Sequence, residues 1–144
     1  GIPLDPGRVV ARPYGIAAGR AAFRELLSRS ARPTAVICGN DVLAIGALFE
    51  ALAMGLRVPA DVSITGFDDL DLAREISPAL TTVHAPLEEM GRLTAAYLLA
   101  ADRNDGTAEH IELPTELVVR ASTGPAPRLA RPRRDAGPGT PERD

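Results

Sequence analysis

Two polar residues stand at places where the chain could bind a small molecule. Asn40 and Asp68 each follow a short apolar run, residues 34–38 and 62–67, that predicts a buried strand. Polar groups just beyond the carboxyl ends of parallel strands face the ligand crevice of open α/β sheets. Both residues also have a purely structural interpretation, because Asn40 can cap the helix that follows it and Asp68 can cap the short helix expected from about Leu70.

A second pair, Cys38 and His84, combines a nucleophile with a base. Both lie in apolar strand patterns without a third group to orient the base, so a packed thiol and an ordinary histidine are the favoured interpretation. The sequence contains no P-loop, dinucleotide-binding, metalloprotease or zinc-ligand spacing. We therefore expect no catalytic residue, no metal and no cofactor, and we do not expect an enzyme.

The elements that must position Asn40 and Asp68 form a strand–helix–strand unit over residues 33–69. Between the two apolar runs, apolar residues recur three or four positions apart, which predicts a helix that begins at Asp41 and stops at Gly55. Such a connection makes the two strands parallel and the crossover right-handed. The prediction is an α/β fold with a mostly parallel sheet flanked by helices.

Further elements extend this unit on both sides. The patterns predict helices over residues 14–28, 70–76 and 87–101, strands over 80–84, 110–113 and 116–120, and a turn over 104–106. The inward face of the 87–101 helix is expected to carry Leu87, Met90, Thr94, Tyr97, Leu98 and Ala101. Residues 1–13 form a turn-rich lead-in, and residues 124–144, with scarcely any large apolar side chain, predict a disordered tail.

The composition limits the class of protein. With 144 residues, 45% of them hydrophobic and only 3% aromatic, the chain suits one modest domain with an aliphatic core. The net charge of −3 argues against a nucleic-acid-binding surface in this chain. The single cysteine excludes an internal disulfide, and no apolar run approaches membrane-spanning length. A cytoplasmic protein is the expectation.

Four phrases occur in an order and spacing typical of one protein family: PTAVICGNDVLAIGAL, GLRVPADVSITGFDD, SPALTTVHAPLEEMG and LPTELVVRAST. Residues 14–123 thereby resemble the sensor half of the lactose-repressor/galactose-repressor (LacI/GalR) family of bacterial transcription regulators. The resemblance implies the C-terminal lobe of a fold like that of periplasmic binding proteins, whose two lobes hold a small effector between them. It also implies that residues 87–114 cross toward the other lobe. The family's helix-turn-helix, its hinge helix and most of its first lobe have no counterpart in this sequence, so the sensor domain is expected to be incomplete.

The resemblance implies which residues contact the effector. Asn40 matches a polar position after a family strand, Asp68 matches the first acid of a family motif, and Tyr14 matches an aromatic position that stacks on the effector. Tyr14 can equally serve as a hydrophobic staple at the helix start. Ala85 and Leu87 depart from the glutamine and the aromatic residue that are common in the family. The effector's identity therefore stays open between a sugar, which is the first expectation, and a purine-like compound.

Self-association is implied as well, through helices that match the one after Asp41 and the short one before Ser77. The side chains expected in this two-fold patch of a homodimer are Ile45, Leu48, Phe49 and Ile76. The implied function is the effector-sensing and dimerising part of a regulator that contacts DNA only through a helix-turn-helix outside this sequence. Two alternatives remain, a piece of a periplasmic sugar-binding transport protein and a truncated remnant without regulatory function.

Overall fold

The computed structural model describes residues 5–100 and 110–127. In these two ranges, four helices alternate with four short strands after a 3₁₀ turn at Pro6–Arg8. The elements in chain order are α1 (Ile16–Ser28), β1 (Ala35–Ile37), α2 (Asp41–Ala53), β2 (Ser63–Thr65), α3 (Asp71–Glu75), β3 (Thr82–His84), α4 (Leu87–Ala100) and β4 (Glu116–Val118). None of the described helices is long and apolar enough to cross a membrane.

The strands form a largely parallel array, as predicted. β1 pairs in parallel with β2, and α2 makes the crossover between them. Parallel bridges between Thr65 and Thr81 and between Asp68 and His84 join β2 to β3. β4 then pairs antiparallel with β3, so the spatial order is β1, β2, β3, β4 with only the last strand reversed.

The core lies where α1 and α2 pack on these strands. Its members are aliphatic apart from one phenylalanine, and they are Phe23, Leu27, Val36, Ala44, Ile45, Ala47, Leu48, Ala51, Val62, Ile64, Ala73 and Leu80. The two helices touch backbone to backbone. A Cβ added at Gly19 would lie 2.2 Å from the carbonyl oxygen of Leu43, and one at Gly46 would lie 2.2 Å from that of Ile16.

A buried acid holds the same helix pair together at its side. The carboxylate of Glu50 on α2 accepts hydrogen bonds from Arg20 Nε at 2.9 Å and from Arg24 NH2 at 2.6 Å, both on α1. These two bonds, from Arg20 first and then from Arg24, lower the pKa of Glu50. The two arginines therefore favour the charged form of the Glu50 carboxylate, although it is buried between the two helices.

α2 ends as its sequence predicts. Gly55 has φ of 73°, the left-handed conformation that glycine adopts without a steric cost at the end of a helix. Its N–H donates to the carbonyl of Leu52 at 3.0 Å, and the N–H of Leu56 reaches back to Ala51 at 2.9 Å. The last turn of the helix is closed in this way, and the chain leaves toward β2.

Two residues predicted for the dimer patch lie in the core instead. Ile45 is 1% exposed and Leu48 is 0% exposed, so neither has surface to offer a second copy of the chain. The prediction is wrong for them because α2 is covered on two sides, by α1 and by the strands. Phe49 is exposed and Ile76 is partly buried against the core, so the patch remains a prediction for these two residues.

The inward face predicted for α4 is not buried; the sequence also predicts that this helix projects away from the sheet if the companion lobe is missing. None of its residues is buried, and Leu87, Met90 and Leu98, which were expected to face inward, are exposed. Residues 110–113, predicted as a strand, have no regular structure. No described strand pairs with them, and β4 begins only after Pro114. Ala101, the turn at 104–106 and the tail from residue 128 lie outside the described residues.

The glycine contact between α1 and α2 can be tested by substitution. Gly46→Ala places a methyl group 2.2 Å from the backbone oxygen of Ile16, and overpacking of this kind costs roughly 1–3 kcal/mol or more of unfolding free energy. Urea denaturation measures that loss. Gly91→Ala in α4 is the matched control, since nothing lies within 4 Å of its added Cβ.

In that control the better helix propensity of alanine should stabilise the protein by about 0.5–1 kcal/mol. An equal and small effect of the two substitutions would show that α1 and α2 do not approach as closely as the structure has them.

Candidate functional site

Asn40 and Asp68 lie at one edge of the sheet, as the sequence predicts. Each comes three residues after the end of a strand, β1 for Asn40 and β2 for Asp68, and these strands are parallel neighbours. The segments beyond the two strand ends are joined by a hydrogen bond from the N–H of Asp41 to the carbonyl of Phe67 at 2.8 Å. The structure therefore brings the two candidate ligand-binding residues onto adjacent loops.

Asn40 caps α2. Its backbone is extended, with φ of −161°, and its Oδ1 accepts the N–H of Leu43 at 2.8 Å. This satisfies one of the N–H groups that the first turn of a helix leaves without a partner. Among the described hydrogen bonds the side-chain nitrogen of Asn40 makes none, so its two N–H donors are the part of the amide that can serve a ligand. The capping role and a ligand role are compatible.

Asp68 occupies an unusual backbone conformation. Its φ is 110°, and that of Asp69 is 56°, so two successive residues with side chains lie in the left-handed region. The N–H of Asp68 donates to Val83 at 2.9 Å, on the neighbouring strand β3. Burial, followed by the negative charge of Asp41, raises the pKa of the Asp68 carboxyl group.

The capping interpretation of Asp68 is wrong. α3 is preceded by Leu70, and no side chain caps its first turn. The N–H of Leu70 is bound by the carboxylate of Asp41 instead, at 2.8 Å. Asp68 is therefore free of the structural duty that its position in the sequence suggested.

Asp69 is a structural acid whose partner, Arg120, lies 51 residues further along the chain. Arg120, just after β4, donates from NH2 to Oδ1 of Asp69 at 2.6 Å and from NH1 to the carbonyl of Leu80 at 2.9 Å. Nδ1 of His84 lies 3.4 Å from the other oxygen of Asp69. This ties the loop after β2 to both β3 and the segment after β4.

The same contacts bear on the Cys38–His84 pair. The two residues lie on β1 and β3 or just beyond, and β2 runs between these strands. His84 is turned to Asp69, and burial together with the charge of Asp41 raises the pKa of the Cys38 thiol to about 12. A thiol with this pKa is protonated near neutral pH and is a poor nucleophile. Within the described ranges no three histidine, cysteine, aspartate or glutamate residues are grouped so as to hold a metal.

Tyr14 precedes α1 and is 69% exposed. The start of α1 lies beside the start of α2, because Gly19 contacts Leu43. The role of Tyr14 in contacting an effector remains a prediction. Ala85, one of the two departures from the family pattern, is buried, and Leu87 is exposed.

Asp41 is the residue that sequence reasoning missed. The sequence pattern shows it only as the first residue of a helix, yet Asp41 is 0% exposed and both its carboxylate oxygens accept hydrogen bonds. Oδ1 accepts from the hydroxyl of Thr82 at 2.6 Å, and Oδ2 accepts from the N–H of Leu70 at 2.8 Å. The available signal was an aspartate directly after the helix cap; its partners, 29 and 41 residues away, are not visible in a linear pattern.

Two concave regions occur in the described part of the chain. One, of about 80 Å³, is an apolar groove between α1 and β1, lined by residues such as Val10, Phe23, Val36, Cys38 and Leu43. The other, of about 230 Å³, lies between α4 and residues 111–113. Neither is lined by Asn40, Asp68 or Tyr14. The candidate site is thus an open surface that carries the polar side chains of Asn40 and Asp68, and neither of these two cavities encloses it.

Comparison with known proteins identifies the type of domain. A family model described as a periplasmic binding protein-like domain matches residues 1–123. The HTH-type transcriptional repressor PurR of Proteus mirabilis is 46% identical over 112 residues, covering 76% of this chain and 32% of the relative. The repressor of the same name from Photorhabdus laumondii is 40% identical over 127 residues, with 88% and 37% covered. The chain spans about a third of the length of these relatives.

Solved structures give the same picture. A LacI family transcriptional regulator from Enterococcus faecium with bound ribose is 33% identical with a TM-score of 0.70, covering 79% of this chain and 42% of that one. A complex of the transcriptional regulator CelR with cellobiose is 36% identical with a TM-score of 0.75, covering 84% and 37%. A LacI family regulator from Mycobacterium smegmatis is 35% identical with a TM-score of 0.74, covering 84% and 46%.

The raised pKa of Asp68 predicts how stability depends on pH. A carboxyl group whose pKa is higher in the folded than in the unfolded state stabilises the fold below its ordinary pKa of 3.8, and this contribution is lost as the pH rises through the folded value. Asp68→Asn removes the charge, so its melting temperature relative to the parent should be higher at pH 7 than at pH 3. Differential scanning calorimetry at the two pH values measures this change.

Asparagine also tolerates a positive φ better than aspartate does, but that contribution is independent of pH and cancels in the comparison. Glu75→Gln is the control, since Glu75 is an exposed acid on α3. If the melting temperature of Asp68→Asn differs from that of the parent by the same amount at both pH values, the environment of Asp68 does not disfavour its charge, and the assignment is contradicted.

Proposed function

Because this chain belongs to the family of periplasmic binding protein-like domains, in the form that LacI/GalR regulators carry as their effector-binding domain, we propose that it senses a small molecule for a transcriptional regulator. The observation that carries the proposal is the placement of Asn40 and Asp68 on adjacent loops beyond the ends of β1 and β2. In open α/β sheets this edge is where ligands bind.

A sugar is the effector class that we propose first. Asn40 offers amide donors and Asp68 offers carboxylate oxygens, a combination that suits vicinal hydroxyl groups. Tyr14, if it lies over the ligand, would stack on the apolar face of a sugar ring. Two of the structural neighbours contain ribose and cellobiose.

A purine-like compound is the second candidate. The curated relatives described above are PurR repressors, and a carboxylate accepts a hydrogen bond from a ring N–H as readily as from a hydroxyl. The two classes differ in their needs, because a planar base gains most from stacking and a sugar gains most from hydrogen bonds. Titration with both classes separates the candidates.

The role in regulation rests on the relatives. They are transcriptional repressors by name, which favours a regulator over a transport protein of the same fold. This chain covers about a third of their length, so contact with DNA would belong to another part of the protein. We propose that the chain supplies the sensing part and, through Phe49 and Ile76, part of a two-fold contact with a second copy.

Self-association can be tested at Phe49, which is exposed in the middle of α2. Phe49→Glu places a negative charge in the proposed two-fold patch. Because the same patch of both copies forms the contact, the two introduced glutamates would repel each other. Sedimentation velocity at micromolar concentration should show a dimer for the parent chain and a monomer for the variant. Leu99→Glu, exposed on α4, is the control and should leave the dimer intact. A monomeric parent would contradict the proposal.

Effector affinity of this chain alone should be weak. Asn40, Asp68 and Tyr14 form one open wall, and two or three hydrogen bonds exposed to water contribute about 0.5–1.5 kcal/mol each. Association costs roughly 4–15 kcal/mol, so dissociation constants should be millimolar or weaker for sugars and purines. Calorimetric titration with ribose, cellobiose and adenine measures them. A micromolar constant would show that one wall suffices.

In the complete regulator the same residue should matter more. Asp68→Asn there removes a charge-assisted acceptor from an enclosed site, and we expect loss of the response to effector with the fold intact. A reporter assay with circular dichroism of the purified variant tests this. A normal response would remove Asp68 from the proposed site.

A further inference from the structure

Asp41 is a buried carboxylate whose surroundings offer it little charge compensation. Its side chain is 0% exposed and lies against the core, and no described arginine or histidine lies within ion-pair distance of it. Its partners are neutral donors, the N–H of Leu70 at 2.8 Å and the hydroxyl of Thr82 at 2.6 Å. The N-terminal end of α2 adds the favourable field of the helix dipole. Burying such a group is costly, so its position calls for an explanation beyond packing.

The explanation lies in what the carboxylate connects. Asp41 itself follows β1, Leu70 lies in the loop after β2, and Thr82 begins β3. The backbone N–H of Asp41 adds a bond to Phe67 at 2.8 Å. One residue therefore joins three neighbouring strands, and its bonds to Phe67 and Leu70 fall on either side of Asp68 and Asp69.

The loop between these two anchors is strained. Asp68 and Asp69 both have positive φ, 110° and 56°, which residues with a Cβ adopt only when the surrounding structure imposes it. Phe67 and Leu70, the residues immediately before and after this pair, are the ones that Asp41 holds. A further bond, from Asp68 N–H to Val83 at 2.9 Å, fixes the loop against β3.

The absence of a side chain at Gly66 leaves the space that the Asp41 carboxylate occupies. A Cβ added at Gly66 would lie 2.1 Å from Oδ1 of Asp41 and 3.1 Å from its Cα. Any residue other than glycine at the end of β2 would displace Asp41 from its place between the strands. The phrase Gly66-Phe67-Asp68-Asp69 thus contains both the space for the anchor and the loop that the anchor holds.

We propose that Asp41 is the positioning residue of the effector site: its carboxylate holds the loop after β2 in the strained conformation that places Asp68 beside Asn40. This inference rests on the proposed function for its ligand, but its structural part stands without one. The raised pKa of Asp68, caused by burial and then by Asp41, agrees with two carboxylates held close together.

Geometry and charge can be separated by substitution. In Asp41→Asn the amide oxygen can still accept from Leu70 and the amide nitrogen can donate to Thr82, whose hydroxyl turns to accept. The loop should keep its conformation. Asp41→Ala removes both bonds and should release it. Thr82→Val leaves one carboxylate oxygen without its donor and should disturb the loop in part, whereas Thr82→Ser keeps the hydroxyl.

The first readout needs no ligand. NMR scalar couplings and backbone chemical shifts report φ at Asp68 and Asp69 in each variant of the full chain, and far-UV circular dichroism reports the fold. We expect the positive-φ signature in the parent, Asp41→Asn and Thr82→Ser, and its loss in Asp41→Ala. If Asp41→Ala does not fold, shifted amide signals of residues 68–70 in Thr82→Val against Thr82→Ser decide the question. A folded Asp41→Ala with unchanged φ at both positions overturns the proposal, and so do unchanged signals in Thr82→Val.

The second readout concerns the ligand. Titration of the parent with ribose, cellobiose and adenine at concentrations above the millimolar range, followed by amide shifts, should give concentration-dependent changes at Asn40 and Asp68 for at least one probe. These should persist in Asp41→Asn and vanish in folded Asp41→Ala. Absence of such changes in the parent counts against the proposed function only, while the loop measurements still test the role of Asp41. If folded Asp41→Ala shows ligand-induced amide shifts as large as those of the parent, the positioning role of Asp41 is overturned.

Discussion

The hydrogen bonds of a single buried carboxylate hold together the edge of the sheet on which the candidate site stands. Asp41 bonds to Leu70 after β2 and to Thr82 at the start of β3, while its own backbone N–H bonds to Phe67. Parallel strands cannot be joined by a tight turn, so their ends need some other means of being held in order. Here a side chain supplies it. The neighbouring Asn40 caps the helix from which Asp41 projects, so the helix start and the three strand ends form one connected unit.

The strand–helix–strand unit could be predicted because its signals are local. β-branched runs, three-and-four spacing and Gly55 at the helix end are read over a few residues, and the parallel pairing of β1 and β2 follows from chain connectivity. The error at Ile45 and Leu48 has a physical cause. Large apolar residues around a helix show that more than one face is covered, but not by what, and here the second cover is α1 of the same chain. Gly19 and Gly46 permit that contact, but two small residues in separate helical patterns do not by themselves show that the two helices meet.

The location of the candidate site could be predicted from the sequence, but the contacts that hold its loops in place could not. Asn40 and Asp68 follow predicted strands, so their common edge could be derived from topology. Their supports could not, because Asp41 and Thr82 are 41 residues apart and Asp69 and Arg120 are 51 residues apart. A linear pattern cannot distinguish a buried aspartate from an ordinary residue in the first turn of a helix, since both favour the same position.

The contacts of Asp69 explain why the loop beside it can be both strained and stable. Strain in two consecutive residues costs of order 1–3 kcal/mol each and persists only if surrounding bonds exceed it. Arg120 binds Asp69 at 2.6 Å with both side chains largely buried, where a charge-assisted hydrogen bond is stronger than at the surface. Asp41 binds the N–H of Leu70, the next residue of the same loop, at 2.8 Å. The ion pair of Asp69 with Arg120 and the buried carboxylate of Asp41 therefore hold the loop without using the side chain of Asp68. The described hydrogen bonds of Asp68 involve only its backbone, so its carboxylate is available to a ligand.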